Sequence, residues 1–242
     1  MLINNKSIDT WECLLLHRNI SPITVVSYND WLDGAIEPTF IRQQDSFKEV
    51  AVTLLLDGES EQDCQEQLSS LTREIKKCTV AFDEDLEFTY NCVLDSIETE
   101  RIVKSKFNVK IVWRCGYAAG KEVAVKNPDI KSGELTLKNR GDAPAAVKIE
   151  FIPIASTIVE VNVTGLTENG FTVNDIPAGS KLVVDGVCGD IYLEDADGVR
   201  TSAIDHYNNC WEMPKLQPGS TTIGFDYTTG YDICIYYAPK YL

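Results

Sequence analysis

The sequence predicts a mainly β protein with two domains and one α-helix. Three observations lead to this fold class. Apolar and polar residues alternate along many short segments, which is the period of a half-buried strand. One segment, after Ser60, carries its apolar residues at helical spacing instead. A stretch with Gly and Pro at 116–132 separates the two halves of the chain, so we expect a domain boundary there.

Length, composition and charge bound the class of protein. The chain has 242 residues, of which 44% are hydrophobic and 24% charged, as in ordinary globular proteins. No apolar run approaches the roughly 20 residues of a membrane span, and no secretory signal opens the sequence, so we expect folding in a cytoplasm. The net charge of −15 leaves no basic face for phosphates and argues against nucleic-acid binding. The excess of acidic residues either keeps the protein soluble or forms a surface past which DNA slides without binding tightly.

Residues 1–48 carry the least regular pattern. Ile3 and the apolar runs at 14–16 and 24–26 predict two or three short strands, and 31–34 predicts a turn. A segment of this kind forms either an arm that reaches a neighbouring molecule or a loop packed on its own domain. The residues alone leave both readings open.

One helix is predicted after Ser60. Ser60 and Asp63 form a capping-box pattern, in which the serine oxygen accepts an early amide N–H and the acid favours the positive end of the helix. We expect the helix to end near Lys76 and Lys77 and to cover a sheet with one apolar stripe. The stripe consists of Cys64, Leu68, Leu71 and Ile75.

Alternating apolar residues predict the strands of the first domain. One strand precedes the helix. A short strand at 79–82 follows it and is joined by an acidic turn at Asp83, Glu84 and Asp85 to a longer strand. A charged segment at Glu98–Lys106 then leads to a final strand. The residues predicted to share a face are Val50, Val52, Leu54 and Leu56 in the first strand, Leu86, Phe88, Tyr90, Cys92 and Leu94 in the long strand, and Phe107, Val109, Ile111 and Trp113 in the last.

The second domain reads as a β-sandwich. Short strands recur every 8–12 residues with Gly or Asp-Gly turns between them and no helical pattern. Two strands joined by a turn at 139–144 open the domain, and a hairpin closes it. The expected inward residues are Leu135 and Leu137, then Val147, Ile149 and Phe151, then Val159, Val161 and Val163, and in the closing hairpin Ile223, Phe225 and Tyr227 opposed to Ile233, Ile235 and Tyr237.

The sequence offers little for catalysis. His17 and His206 have no nucleophile on a strained turn, and no phosphate-loop, dinucleotide or H-E-x-x-H pattern is present. The acids Asp83 and Asp85, and those at 194–198, are expected to form turns. Glycoside hydrolysis by a carboxylate pair and calcium binding at 194–198 are the alternatives. We expect no enzyme activity, no metal and no cofactor.

The eight cysteines are expected to be free, buried thiols. A chain of this length does not need bridges, no C-x-x-C pair occurs, and several cysteines fall inside apolar strand patterns. They are Cys13, Cys64, Cys78, Cys92, Cys115, Cys188, Cys210 and Cys234.

Two aromatic residues form a candidate contact site in the second domain. Trp211, with Tyr207 nearby, could make a platform on which a sugar stacks, because aromatic faces suit the apolar faces of sugars. The alternative is a tryptophan in the core or in an interface.

Three segments resemble the distal tail protein family of siphophages, the long-tailed, non-contractile bacteriophages. The loop with Asn139, Gly141, Asp142 and Pro144, between two strands, resembles the opening of that family's C-terminal domain. Residues 216–223 and 233–242 resemble its closing hairpin, although Thr221 stands where the family often has Asn. The order of strand, helix, hairpin and returning strand at 48–116 resembles the tail-tube domain.

The resemblance implies a fold, a function and partners. Residues 1–120 would be a tail-tube-like β-sandwich or split barrel that forms a ring, 121–131 a linker, and 132–242 a sandwich like a galectin or a carbohydrate-binding module. The protein would be a structural hub at the virion tail tip, assembled in the host cytoplasm as a hexameric ring with a channel for DNA. Its partners would be the tail tube protein and the tip or baseplate protein.

Five residues carry the site predictions. Asp83, Glu84 and Asp85 are placed in a hairpin that contributes to the ring or its lumen. The alternative function is a carbohydrate-binding module or adhesin that recognises host glycans through Tyr207 and Trp211.

Overall fold

The chain folds into two compact units of antiparallel strands. The computed structural model describes residues 1–30, 36–37, 39–126, 133–209, 211–226 and 230–242, without the side chains of residues 29, 30, 39, 43, 85 and 86. Residues 1–119 with Leu242 form the first unit, and residues 120–241 form the second. One α-helix occurs among the described residues, which confirms the predicted mainly β fold. None of the described helices is long and apolar enough to cross a membrane.

The first unit is built on one sheet of seven strands in the order β2-β1-β7-β8-β9-β6-β3. Two further strands, β4 and β5, form a separate two-stranded ribbon. A short 3-10 helix, Ile8–Trp11, and the helix α1, Glu61–Glu74, complete this unit. The strands are β1 Leu2–Ile3, β2 Lys6–Ser7, β3 Cys13–Ile20, β4 Val25–Asp30, β5 Thr39–Asp45, β6 Lys48–Asp57, β7 Lys77–Phe82, β8 Asp85–Val103 and β9 Lys106–Ala119.

Helix α1 begins and ends as its sequence predicts. The Ser60 hydroxyl accepts the N–H of Asp63 at 3.1 Å, and the Asp63 carboxylate accepts the N–H of Glu59 at 3.0 Å. Cys64, Leu71 and Ile75 are buried, with Ile75 as the C-terminal cap. The stripe therefore packs on the sheet, where the Trp113 indole N–H of β9 donates to the Ile75 carbonyl at 3.0 Å.

The sheet is more continuous than the sequence predicts. The alternation in β6 is confirmed, because Val50, Val52, Leu54 and Leu56 are all at most 1% exposed. The charged segment at Glu98–Lys106, in contrast, is not a separate link. Strand β8 runs through it to Val103 and turns directly into β9. Charged side chains on a solvent-facing strand do not oppose pairing, so charge alone was a poor boundary signal.

Residues 1–48 are also more regular than expected, with five strands and the 3-10 helix in their described part. The predicted turn at 31–34 lies outside the described residues. The sheet curls so that its two ends approach each other. The Arg18 guanidinium of β3 lies 5.0 Å from the ring centre of Phe82 on β7.

The second unit is a sandwich of two sheets, as the sequence predicts. One sheet has the order β10-β20-β12-β15-β16-β17, with β18 also pairing with β12, and the other has the order β11-β19-β13-β14. The unit also contains a 3-10 helix, Ile204–His206. The strands are β10 Val123–Lys126, β11 Glu134–Asn139, β12 Ala145–Pro153, β13 Ile158–Thr164, β14 Phe171–Ile176, β15 Lys181–Asp185, β16 Asp190–Glu194, β17 Arg200–Ser202, β18 Lys215–Leu216, β19 Gly219–Phe225, β20 Tyr231–Tyr237 and β21 Lys240–Tyr241.

The opening turn of this unit carries the chain from one sheet to the other. Strand β11 pairs with β19, whereas β12 pairs with β15 and β20. The buried Asn139 side chain holds the crossing. Its amide N–H groups donate to the carbonyls of Ala143 at 3.0 Å and Leu216 at 3.1 Å, and its oxygen accepts the N–H of Gly141 at 2.9 Å. A Cβ at Gly141 would lie 2.3 Å from the Lys240 carbonyl oxygen, so only glycine fits.

The predicted closing hairpin is wrong. Strand β19, with Ile223 and Phe225, pairs with β11 and β13, and strand β20, with Ile233 and Ile235, pairs with β10 and β12. The two strands therefore face each other across the core instead of pairing side by side. Alternation reports which side chains are buried but not which strand is the hydrogen-bonded partner. The predicted inward residue Tyr227 lies outside the described residues.

Two further details differ from the expected pattern. Val159, predicted to point inward, is 74% exposed, and Ile158 takes the buried position at this end of β13. The alternation of buried and exposed residues in β13 is interrupted at Val159, which lies opposite Asp175 of β14, and the φ of Asp175 is 51°. Strand β10 occupies part of the segment predicted as a linker, 121–131, and residues 127–131 of that segment lie outside the described residues.

The cysteines are free thiols wherever the structure describes them. Six are buried as predicted, Cys188 is exposed, and Cys210 lies outside the described residues. Burial raises the pKa of Cys13 to about 12 and that of Cys78 to about 11. These two thiols are therefore protonated at neutral pH.

Candidate assembly surface

The β4–β5 ribbon exposes apolar side chains without a sheet to cover them. Its strands pair only with each other within the described chain. An isolated two-stranded ribbon is marginally stable in water and needs a third strand or a packed face. Apolar side chains on this ribbon are 41–60% exposed: Val25, Val26, Tyr28, Phe40 and Ile41. The ribbon therefore has the composition of a surface that another molecule covers.

Strand β3 forms a long open edge of the sheet. It has eight residues and, among the described strands, pairs only with β6. The opposite edge strand, β2, has two residues and carries a lysine, which is a usual protection against pairing. On β3, Leu14 is 60% exposed and Leu16 is 51% exposed. This edge therefore offers both unpaired backbone groups and apolar side chains.

The sheet face directed away from α1 carries charges in opposite-sign pairs. Because Trp113 points to the helix, Lys110 and Arg114 on the same strand point to the other face. The Arg114 Nε lies 2.9 Å from the Asp95 Oδ1, and the Lys110 Nζ lies 3.9 Å from the Glu98 Oε2. Pairing of this kind leaves no cluster of basic residues on which a phosphate chain could bind tightly.

The acidic turn predicted as a ring or lumen element is anchored within its own unit. Asp83 and Glu84 form the turn between β7 and β8, and Asp85 begins β8, with its side chain outside the described atoms. The Arg18 Nη2 lies 3.1 Å from the Glu84 Oε2, and the Met1 amino group contacts the Asp83 carboxylate. The turn therefore lies beside the exposed β3 strand.

The two aromatic residues of the second unit do not form one platform. Trp211 is 95% exposed, whereas Tyr207 is 4% exposed. The Tyr207 ring packs against Phe171 with ring centres 5.1 Å apart, and its hydroxyl donates to the Glu212 carbonyl at 2.9 Å. Trp211 alone is available for contact.

The acids considered for calcium or catalysis have structural partners. One oxygen of Asp195 accepts the N–H groups of Asp197 at 3.0 Å and Val199 at 2.9 Å, as in an Asp-Gly turn. Hydrogen bonds from Lys181 and Arg200 lower the pKa of Glu194. Within the described residues, no three His, Cys, Asp or Glu side chains gather as metal ligands.

The candidate histidine of the second unit is engaged in the same way. His206 Nδ1 lies 2.9 Å from the carbonyl oxygen of Asn174 on β14. This contact orients the imidazole toward the backbone.

Comparison with known proteins identifies the fold. Neither protein-family models nor curated proteins match the sequence. A solved structure of the SPP1 phage distal tail protein, described as a paradigm of the hub adsorption apparatus in phages that infect Gram-positive bacteria, matches with a TM-score of 0.75 and 13% identity, over 100% of this chain and 98% of that one. Two structures of the activated phage p2 baseplate, one with strontium and one with calcium, match with a TM-score of 0.57 and 8% identity, over 93% of this chain and 90% of theirs.

The class of fold is therefore that of phage baseplate and hub proteins. More narrowly, the whole chain has the fold of a siphophage distal tail protein, as the sequence resemblance indicated. The short strand predicted at 24–26 is part of β4, but neither β5 nor the β4–β5 ribbon was predicted. The apolar residues at 25, 26, 40 and 41 were its available signal, but too few of them alternate to mark a strand pair.

Proposed function

We propose that this protein is a structural hub of a phage or prophage tail, which closes into a ring between the tail tube and the tail tip. The observation that carries the proposal is the match of the whole chain to the fold of a distal tail protein. The hub is a component of the virion tail tip and assembles in the cytoplasm of the host. Its function rests on shape and contact rather than on a reactive centre.

The exposed surfaces of the first unit support ring closure. The β3 edge and the β4–β5 ribbon both lack a covering partner within the described chain. Contact between the edge of one copy and a different surface of the next copy buries both, and repeated contacts of this kind close into a ring. The expected ring has six copies and binds the tail tube protein on one face and a tip or baseplate protein on the other.

A channel for DNA fits the charges of the first unit. The net charge of −15 of the whole chain and the ion pairs of Arg114 and Lys110 in the first unit give DNA no basic surface to bind. We place the sheet face directed away from α1 on the lumen side, because DNA must slide past it without specific binding.

The ribbon provides the test of ring assembly. The substitution Phe40→Asp replaces an apolar side chain that is 60% exposed with a charged one. The control, Val159→Asp, also replaces an apolar side chain with a charged one, at a position of the second unit that is 74% exposed. Light scattering after size-exclusion chromatography, with negative-stain images, measures the assembly. We expect rings for the parent and for Val159→Asp, and smaller species for Phe40→Asp.

Two outcomes would contradict these expectations, the first against the hub and the second against the ribbon as its interface. One is a monomeric parent that forms no ring at high concentration, even when the tail tube protein is added. The other is equal assembly of Phe40→Asp and the parent, which would remove the ribbon from the interface. Circular dichroism of each variant shows whether a loss of assembly comes from unfolding.

A second candidate function is glycan binding by the second unit. The observation that favours it is Trp211, whose indole is 95% exposed on a β-sandwich. An aromatic face in water is a stacking surface for a sugar ring. On a glycan array, this function requires binding by the parent that is lost in Trp211→Ala, and an array without binding rejects it.

A further inference from the structure

Three buried cysteines occupy one row across the sheet of the first unit. In the strand register, Cys78 of β7 lies opposite Cys92 of β8, and Cys92 lies opposite Cys115 of β9. Lys48 of β6 lies opposite Cys115 and ends the row. These side chains are all at most 9% exposed. In the register, Cys92 therefore lies between Cys78 and Cys115, and Lys48 is the last residue of the row.

The strand register places Cys92 and Cys115 opposite each other, next to a β-bulge between Tyr90 and Cys92, and this position favours a bridge. Opposite residues on antiparallel strands have Cα atoms about 4.5–5.5 Å apart, which lies within the roughly 4.4–6.8 Å that disulfides span. The Cys92 and Cys115 side chains are close enough to share a hydrogen bond. The Cys78 thiol is directed instead to the Ile75 carbonyl, at 3.7 Å.

The surroundings of the two thiols favour the Cys115 thiolate over the Cys92 thiolate. The hydrogen bond between them lowers the pKa of Cys115 against the effect of burial, and the backbone of Asn91 and the charge of Lys48 act in the same direction. The protonated Cys115 thiol donates to the Tyr117 carbonyl at 3.0 Å. The hydrogen bond between Cys92 and Cys115, together with burial, raises the pKa of Cys92. The thiolate is the nucleophile of thiol–disulfide exchange, so Cys115 is the attacking group.

A pocket brings solvent to the end of the row. It has a volume of about 500 Å³, and its lining includes Lys48, Phe47 and Arg114. Lys48 lies opposite Cys115 in the register, and Arg114 precedes Cys115 in the chain. A small reagent in this pocket lies beside Lys48, the residue opposite Cys115 in the register.

We propose that Cys92 and Cys115 form a dithiol site that a small organic disulfide, RS–SR, oxidises to an intramolecular bridge. The Cys115 thiolate attacks one sulfur of RS–SR, which forms a mixed disulfide and releases RS⁻. The Cys92 thiol gives its proton to RS⁻ and attacks the Cys115 sulfur, and a second RS⁻ leaves. Both cysteine sulfurs are oxidised, and the reagent is reduced to two thiols. The bridge joins β8 to β9, the two longest strands of the protein.

Oxidation of the purified full chain with oxidised glutathione tests the site. A Cys188→Ser background removes the thiol that is exposed among the described cysteines. Digestion without reduction, followed by mass spectrometry, is expected to show Cys92 and Cys115 in one linked pair of peptides that has lost two hydrogen atoms. Adding a reductant is expected to separate the two peptides.

Variants distinguish this pair from its neighbours. Cys78→Ala is expected to keep the bridge, Cys92→Ala to stop at a mixed disulfide on Cys115, and Lys48→Met to slow the formation of the bridge. A linked Cys78–Cys92 peptide, or free Cys92 and Cys115 after prolonged oxidation, would overturn the proposal. The peptide map of the parent decides this even if a variant fails to fold, and it does not depend on ring assembly.

Discussion

Replacing Asn139 with Ala is expected to destabilise the second unit by about 3 kcal/mol. Asn139 is 1% exposed and makes three hydrogen bonds of 2.9–3.1 Å to the backbone. A buried hydrogen bond contributes a net ~1 kcal/mol, and removing the side chain also leaves the N–H of Gly141 and two carbonyls without this partner. The sum is a large share of the stability of a domain of this size.

Urea denaturation, followed by circular dichroism and tryptophan fluorescence, measures this loss. For a slope of about 1–3 kcal/mol per molar urea, the midpoint of the second unit should fall by roughly 1–3 M. The control is Asn91→Ala, which removes the same side chain from an exposed strand position of the first unit. Equal midpoints for Asn139→Ala and the control would refute the role given to Asn139 in holding the crossing between the sheets.

Three further predictions concern stability. Ser60→Ala removes the cap of α1 and should cost about 1 kcal/mol in the first unit, measured by urea denaturation, and an unchanged midpoint would contradict the cap. Gly141→Ala should destabilise the second unit because its Cβ would lie 2.3 Å from the Lys240 carbonyl oxygen, and a thermal midpoint equal to that of the parent would show that the turn relaxes freely. Because the pKa of Glu194 is lowered in the folded state, its ion pairs stabilise the protein above the ordinary glutamate pKa of about 4.3, and this stabilisation is lost as the pH falls further. Glu194→Gln should therefore lower the stability at pH 7 and weaken the loss on acidification, and parallel pH curves for the variant and the parent would exclude this contribution.

Local patterns predicted the elements with the strongest periodicity. Ser60 and Asp63 marked the start of α1, and the alternation from Val50 to Leu56 marked β6, because capping and burial depend on residues close in sequence. Pairing partners could not be predicted in this way. Strands β19 and β20 have the alternation of a hairpin, yet each pairs with distant strands of a different sheet.

The candidate surface was predicted only in part. The acidic turn at Asp83 and Glu84 was found from the residues, but its contact with Arg18 required the sheet to curl. A strand at 24–26 was predicted and overlaps β4, but its pairing with β5 was missed because residues 1–48 contain few alternating apolar positions. The row of Cys78, Cys92 and Cys115 could not be predicted from the spacing of the cysteines in the sequence, because it depends on the strand register.

By itself, the sequence determined the mainly β class, the position of the helix and the absence of a motif for known catalysis, because these depend on residue type and on neighbours within a few positions. The tertiary structure alone decided which strands pair, which edge of the sheet stays open and which thiols meet. Those features depend on contacts between residues far apart in the chain. A strand with alternating residues can bury its apolar face equally well when it pairs with any of several other strands.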